Sequence, residues 1–160
     1  MQHRVKGFTL IELMVTLAVS VILLTMAIPS FTRSVQSSKA DTEVGDLLRG
    51  LNSTRLEAID RGIPTHIKSK DGSAWSTELK IYTGLSTEPD IPEKVLRVIP
   101  AMSSGATLTL TSGVTNIEFN NLGVLSAPAM AVTINYVLGA QTRTINVCLN
   151  GRIVLGGNCG

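Results

Sequence analysis

An uninterrupted apolar run near the N-terminus constrains this chain more than any other feature of its sequence. Residues 8–28 read FTLIELMVTLAVSVILLTMAI, and Glu12 is the sole ionisable residue among these 21. As an α-helix the run extends about 30 Å, the thickness of a bilayer's hydrocarbon core. A helix that is apolar on every face needs apolar surroundings, and a chain of 160 residues has little interior to supply them. The run therefore predicts a transmembrane helix over residues 8–28.

The residues that flank the run predict its orientation. Residues 1–7, MQHRVKG, carry Arg4 and Lys6. Basic residues before an apolar run keep that end in the cytoplasm and send the rest of the chain to the other side. No small-residue cleavage site of the secretory type follows the run. We therefore expect the helix to stay on the mature protein as a single-pass anchor.

Glu12 is the exception within this run. A carboxylate at membrane depth costs about 2.5 to 3.5 kcal/mol and usually has a partner. No Lys or Arg lies within residues 8–28, so the run itself supplies no salt bridge. Two interpretations of Glu12 therefore remain open, a side chain that reaches back to the lipid headgroups and a side chain with a partner on another molecule.

Residues 7–13, read as GFTLIEL, resemble the N-terminal signal of type IV pilins and of type II secretion pseudopilins. The resemblance implies that a prepilin peptidase removes a leader, residues 1–7, by cutting between Gly7 and Phe8. It also implies that the new N-terminal Phe8 is N-methylated. The mature subunit would then lie in the cell inner membrane, with its N-terminus in the cytoplasm and its C-terminal domain in the periplasm.

The same resemblance gives Glu12 and Pro29 a role. Glu12 would be the fifth residue of the mature chain and would pair with the positively charged N-terminal amine of a neighbouring subunit, which makes it a subunit-assembly residue. Pro29 falls where the family has a proline that breaks or loosens the helix. The implied partners are the prepilin peptidase, other minor and major pilins or pseudopilins, and the inner-membrane assembly platform.

Beyond Pro29 the sequence predicts an amphipathic continuation of the helix over residues 29–62. Apolar residues recur at spacings of three, four and seven and form one stripe, made of Ala40, Val44, Leu47, Leu48, Leu51, Ala58 and Ile59. Gly45 and Gly50 weaken the helix locally, which indicates close packing or mild flexibility there. Gly62 and Pro64 form a stop signal after the stripe.

Residues 63–160 form the predicted β-rich periplasmic domain. β-branched residues predict strands at 65–68, 78–82, 95–99, 106–110, 115–119, 130–138, 142–149 and 152–155, with a hairpin around Gly139 and Ala140. Residues 83–93 read as a surface loop, with Glu88 and Asp90 exposed. The predicted fold class is α+β, a type IV pilin-like fold in which one long helix packs on an antiparallel sheet domain.

Two inner motifs extend the resemblance over nearly the whole chain. Residues 54–59, TRLEAI, and the pair Phe119 and Gly123 are similar to the GspH/FimT group of minor pilins and pseudopilins. That group implies a minor subunit that primes or caps a type IV pilus, which serves twitching motility or DNA uptake. The alternative within the group is the H-type minor pseudopilin of the type II protein secretion system.

The chain has two cysteines, Cys148 and Cys159. In a domain outside the cytoplasm such a pair favours a disulfide, which would stabilise the chain end by about 2 to 3 kcal/mol. No metal site is expected, because further ligands near the pair are missing from the sequence. No nucleophile or phosphate-loop motif is present. We therefore expect no cofactor and no enzyme activity.

A DNA-binding minor pilin is the competing hypothesis. Some FimT-like proteins bind DNA through a C-terminal G-R-x-R motif, and residues 151–154 read GRIV, so Arg152 matches and the second Arg is replaced by Val154. Arg143 is the additional cation nearby in the sequence. Because nonspecific binding grows with the number of phosphates neutralised, two arginines give a weak footprint. A solvated Arg152 is the preferred interpretation.

Overall fold

The computed structural model describes residues 8–70, 72, 74–111 and 113–159, without the side chain of Met26. The predicted leader, including Gly7, lies outside the described residues. One α-helix, α1 (Leu10–Arg61), comes first and strands follow. They are β1 (Thr65–Ser69), β2 (Leu79–Thr83), β3 (Val95–Ile99), β4 (Ala106–Leu110), β5 (Asn116–Phe119), β6 (Leu125–Ala127), β7 (Val132–Leu138), β8 (Gln141–Val147) and β9 (Ile153–Leu155).

The strands form two antiparallel sheets. The five-stranded sheet has the order β3-β2-β1-β5-β6 and the four-stranded sheet the order β4-β7-β8-β9. The described residues up to Val35 form one compact unit and those from Gln36 onward form a second. Within the second unit, the buried face of α1 and both sheets share one hydrophobic core. The α+β, pilin-like fold class is therefore confirmed.

Both ends of α1 follow from local sequence. Thr9 Oγ1 accepts a hydrogen bond from the backbone N–H of Glu12 at 3.3 Å, which satisfies one of the free donors of the first turn. Gly62, with φ of +67°, ends the helix as the stop signal predicts. α1 has no break at Pro29, because Pro29 lies inside the helix and helical residues continue on both sides of it; a loosening of the helix there stays a prediction. A proline removes one backbone donor, and α1 accommodates that loss within a long helix.

The second half of α1 is amphipathic, as its spacing predicts. Leu47, Leu51 and Ala58 are fully buried. Ile59 is a correction to the predicted stripe, since 44% of its surface is exposed. Gly50 packs closely, because a Cβ added there would lie 2.2 Å from Ile99 Cδ1 on β3. The close-packing interpretation of Gly50 is thus confirmed.

Most strands were found within two residues of the predicted bounds. The predicted hairpin is β7 paired with β8, in which Leu138 lies opposite Gln141. β6 was not predicted, because its three residues, LSA, are too few to show an alternating pattern. It pairs with β5 and completes one edge of the five-stranded sheet.

Candidate functional site

The first half of α1 presents its side chains to the surroundings. From Phe8 to Val35 every side chain that the structure describes is exposed, among them Leu10, Leu17 and Leu24. This part of α1 is long and apolar enough to cross a membrane. The hydroxyls of Thr16 and Ser20 donate hydrogen bonds to backbone carbonyls of the preceding helical turn, at 2.9 and 2.7 Å, so these polar groups are satisfied within the helix. The hydroxyls of Thr16 and Ser20 therefore need no hydrogen-bond partner outside the helix.

Glu12 lies in the first turn of α1, where the positive end of the helix dipole favours an acid. Within the described part of the chain its carboxylate has no ion-pair partner. Phe8, four residues earlier, is 85% exposed. The structure thus leaves both Phe8 and Glu12 available to another molecule.

The second half of α1 carries a glutamate, Glu43, whose carboxylate is hydrogen-bonded within the domain, unlike that of Glu12. Glu43 accepts hydrogen bonds from the backbone N–H of Ser103 at 2.9 Å and from Tyr136 Oη at 2.7 Å, and also from the Ser103 hydroxyl. Burial raises the pKa of Glu43, but these hydrogen bonds outweigh burial and leave the pKa below its usual value. Sequence reasoning missed this anchor. The sequence did contain an indication of it, because Glu43 lies three residues after Ala40 and four before Leu47, on the buried stripe.

The inner motifs of the sequence meet at one junction. Arg55 Nε donates a hydrogen bond of 2.9 Å to the carbonyl oxygen of Gly123 in the β5–β6 turn. Gly151, in the β8–β9 turn, packs against that same carbonyl, since an added Cβ would lie 1.8 Å from it. Both glycines have positive φ. Arg55, Gly123 and Gly151 therefore hold two turns against α1, which gives residues far apart in sequence a shared structural role.

The C-terminal loop is closed by a disulfide between Cys148 and Cys159. Cys148 is buried at the end of β8, and its backbone N–H donates to the carbonyl of Arg152 at 2.8 Å. Asn146 donates a side-chain hydrogen bond to the carbonyl of Gly157 inside the same loop. The disulfide and these hydrogen bonds fix the chain end beside β9.

The two arginines proposed for DNA binding are engaged within the chain. Arg143 Nε donates to Asp41 Oδ1 at 2.9 Å, and its guanidinium also contacts Ser37 and the carbonyl of Thr142. Arg152 is exposed and donates to the carbonyl of Asn158 at 3.2 Å. Because Asp41 neutralises Arg143, the two arginines together offer DNA less positive charge than the sequence suggests.

In the loop that follows β2, the prediction that Asp90 is exposed is wrong. Only 18% of its side chain is accessible, and it pairs with Lys68 and with His66 Nε2. Glu118, on β5, is also buried and accepts hydrogen bonds from Ser86 and Ser126. Two of these contacts, His66 with Asp90 and Ser86 with Glu118, join the loop to the five-stranded sheet across 24 and 32 residues of sequence. Short-range patterns therefore carried no sign of them.

Comparison with known families and structures defines the class of the protein. The motif described as a prokaryotic N-terminal methylation motif matches residues 2–28. The family described as type II transport protein GspH matches residues 43–152, more than half of the chain. A long N-terminal helix followed by antiparallel sheets, together with these matches, defines a minor pilin or pseudopilin. The chain belongs to the GspH family.

Solved structures share this fold. Two crystal structures of the type IV minor pilin FimU of Pseudomonas aeruginosa superpose with a TM-score of 0.62 and 22% identity; one covers 75% of this chain and 99% of FimU, the other 81% and 98%. The minor pseudopilin EpsH from the type 2 secretion system of Vibrio cholerae gives a TM-score of 0.54 and 13% identity, over 73% of this chain and 95% of EpsH.

One curated relative is similar in sequence. The fimbrial protein EcpB of Eikenella corrodens is 34% identical over 92 residues, which are 55% of this chain and 55% of EcpB. The chain thus matches about half the length of this relative.

Proposed function

We propose that this protein is a minor subunit of a type IV pilus, anchored in the inner membrane before assembly and placed in the fibre afterwards. The observation that carries the proposal is the exposure of the first half of α1, where every described side chain from Phe8 to Val35 lacks an internal packing surface. Such a segment requires lipid around it first and neighbouring helices later. No part of this role needs catalysis, so we propose a structural subunit rather than an enzyme.

The proposed maturation begins with cleavage between Gly7 and Phe8 by a prepilin peptidase and N-methylation of Phe8. Cleavage removes Arg4 and Lys6 and creates a positively charged amine four residues before Glu12. In a low-dielectric interior an unpaired carboxylate is costly, and an amine from a neighbouring subunit would offset that cost. Glu12 would thereby fix the register at which one subunit joins the next. In the domains we propose, residues 8–28 span the membrane, residues 29–62 continue the helix, and residues 63–160 lie in the periplasm.

The test is to express the wild-type chain with a C-terminal epitope in its own host and to shear surface fibres from the cells. The proposal expects the shortened, mature chain in the fibre fraction and fewer surface pili when the gene is deleted. Normal piliation after deletion, together with absence of the chain from sheared fibres, would contradict it.

A secretion pseudopilus is the second candidate, because the GspH family is described as a type II transport protein and EpsH shares the fold. The similarity to a fimbrial protein and the higher TM-score with FimU support the pilus. The same deletion separates the two functions. Loss of exoprotein secretion with intact pili would assign the chain to the secretion system.

DNA capture remains a third proposal with weaker support. Asp41 neutralises the charge of Arg143, so Arg152, which donates to a neutral carbonyl, is the arginine of the two that still offers its charge to a phosphate. Gel-shift measurements at low salt with the full-length chain in detergent test it. A shift lost in the Arg143→Ala, Arg152→Ala double variant would support DNA binding, and no shift would eliminate it.

A further inference from the structure

The loop of residues 84–94, here called the strap, crosses one face of the five-stranded sheet. On β1, Ile67 faces α1, since its Cδ1 lies 4.0 Å from the position of a Cβ on Gly50. Its neighbour His66 therefore points to the opposite face, because side chains alternate along a strand. The strap is bonded to that opposite face through Gly84, Ser86 and Asp90. Polar contacts thus join the strap to the sheet.

His66 lies at the centre of these contacts, and 1% of it is exposed. Its Nδ1 lies 3.0 Å from the carbonyl oxygen of Gly84, at the start of the strap. Its Nε2 lies 3.1 Å from Asp90 Oδ1, six residues further along the strap. A carbonyl and an ionised carboxylate only accept hydrogen bonds. Both contacts are therefore hydrogen bonds only when both ring nitrogens carry protons.

A neutral ring satisfies one of the two contacts. The latch requires the tautomer with the proton on Nδ1, in which His66 keeps the bond to Gly84 and the Nε2 lone pair faces the Asp90 carboxylate, whereas the Nε2–H tautomer would keep Asp90 and lose Gly84. Lys68, which pairs with the other carboxylate oxygen, is the remaining bond that holds Asp90. We propose that His66 is a proton-operated latch for the second half of the strap, closed onto Asp90 in the imidazolium form and released from it in the neutral form.

Charged and titratable groups surround the latch on every side. Those facing His66 are Lys68 on β1, Tyr82 on β2, Glu118 on β5, and Asp90 and Lys94 on the strap. Tyr82 stacks on the ring with centroids 5.3 Å apart. Burial raises the pKa of Glu118, but hydrogen bonds from Ser86 and Ser126 lower it below its usual value. Glu118 therefore stays ionised across the range in which a histidine titrates.

Burial lowers the pKa of His66, and the nearby Lys68 acts in the same direction, whereas the Gly84 carbonyl and Glu118 oppose them. The ring is therefore mainly neutral at pH 7, and it takes up its second proton at a lower pH than an ordinary histidine does. Because a histidine buried as the neutral form must be charged, acid lowers the stability of the whole fold. The Asp90 contact responds in the opposite sense, since Asp90 favours the imidazolium. These opposite trends make the latch measurable.

The experiment is amide hydrogen exchange of the full-length chain in detergent micelles at pH 7.5 and at a pH below the midpoint of the His66 titration described below, corrected for the intrinsic pH dependence of exchange. We expect protection of amides near Asp90 to rise about tenfold on acidification, the effect of one charge-assisted hydrogen bond. Amides of β1 and β2 should lose protection or stay unchanged. An equal response of the strap and these strands would overturn the latch.

Asp90→Asn is the decisive variant, because its amide can donate to the unprotonated Nε2 and close the latch at both pH values. The expected result is a strap whose protection no longer depends on pH in this range. Glu93→Gln, an exposed strap acid, is the matched control and should respond as the wild type does. A wild-type pH response in Asp90→Asn would contradict the proposal.

A titration of the wild-type chain needs no variant. Nitrogen chemical shifts of His66 should show Nδ1 protonated throughout and Nε2 gaining its proton as the pH falls. A ring that stays neutral from pH 7.5 to 4.5, one that is already doubly protonated at pH 7.5, or a neutral ring whose proton is on Nε2 would overturn the latch. The test does not involve fibre assembly, so its outcome is independent of the proposed function.

Discussion

The two halves of α1 have the same secondary structure and opposite surroundings. From Phe8 to Val35 the described side chains are exposed, including large apolar ones, whereas Ala40, Leu47 and Leu51 are fully buried in the second half. Apolar character alone therefore does not mark a core. What distinguishes the halves is periodicity, since the first half is apolar on all faces and the second on one stripe. The first half presents its apolar side chains to the surroundings, whereas the second half buries its stripe in the core of the domain.

Two matched leucines give the largest test of this comparison. Leu47→Ala removes a fully buried side chain, and we expect it to lower the free energy of unfolding by about 2 to 5 kcal/mol. Leu17→Ala, at a position 66% exposed, should change it by less than about 0.5 kcal/mol. Urea unfolding in detergent, followed by fluorescence of the buried Trp75, measures both. Equal losses would break the distinction between the halves.

The disulfide belongs entirely to the second unit. Changing Cys148 and Cys159 together to Ser should lower the free energy of unfolding by about 2 to 3 kcal/mol, because the cross-link closes a loop with a sequence separation of 11. The change should leave membrane insertion of residues 8–28 intact. Unfolding in urea and membrane fractionation check these outcomes separately. A loss of membrane insertion would show that insertion of residues 8–28 depends on the stability of the second unit.

The two glutamates of α1 extend the comparison to polar groups. Glu43→Gln should lower the free energy of unfolding at pH 7 by about 1 to 3 kcal/mol, since Ser103 and Tyr136 lose a charged acceptor. Glu12→Gln should leave it unchanged. Because the pKa of Glu43 is lowered in the folded state, its contribution is present above the unfolded pKa and is lost as the pH falls below it. Unfolding curves from pH 7 to 3 should therefore be flatter for Glu43→Gln than for wild type.

Two glycines of the second half give the smallest effects and opposite signs. Gly45→Ala should stabilise the domain by up to about 1 kcal/mol, since the nearest atom to the new Cβ is Arg49 Nη1 at 3.5 Å. Gly50→Ala should destabilise it by about 1 kcal/mol, because the new methyl meets the buried Ile99 side chain at 2.2 Å and overpacking exceeds the gain in helix propensity. Thermal unfolding of both variants tests these signs. Stabilisation by Gly50→Ala would show that Ile99 can move.

Features encoded over short distances in the sequence were predictable. The helix stop at Gly62, the buried stripe through Leu47 and the hairpin at Gly139 all appear in the structure. Each depends on neighbours within one or two turns or strands. The disulfide followed from cysteine count and compartment.

Features that depend on long-range pairing were not predictable. Arg143 pairs with Asp41 at a sequence separation of 102, and Tyr136 with Glu43 at 93. Asp90, in the loop after β2, is paired with His66 and Lys68, which lie on β1. At Pro29 the family pattern implied a broken or loosened helix, and the structure excludes only the break. Glu12 and Phe8 stay predictions, because their proposed partners belong to other subunits.

The most direct test of the assembly role compares Glu12→Ala with wild type and with Glu57→Ala, a change of a glutamate in the second half of α1. All three chains should be inserted in the membrane and processed, which gel mobility and fractionation report. The account predicts that Glu12→Ala falls at least about tenfold in sheared fibres, while Glu57→Ala matches wild type. Equal recovery of Glu12→Ala and wild type in sheared fibres would contradict the claim that Glu12 pairs with a neighbouring subunit.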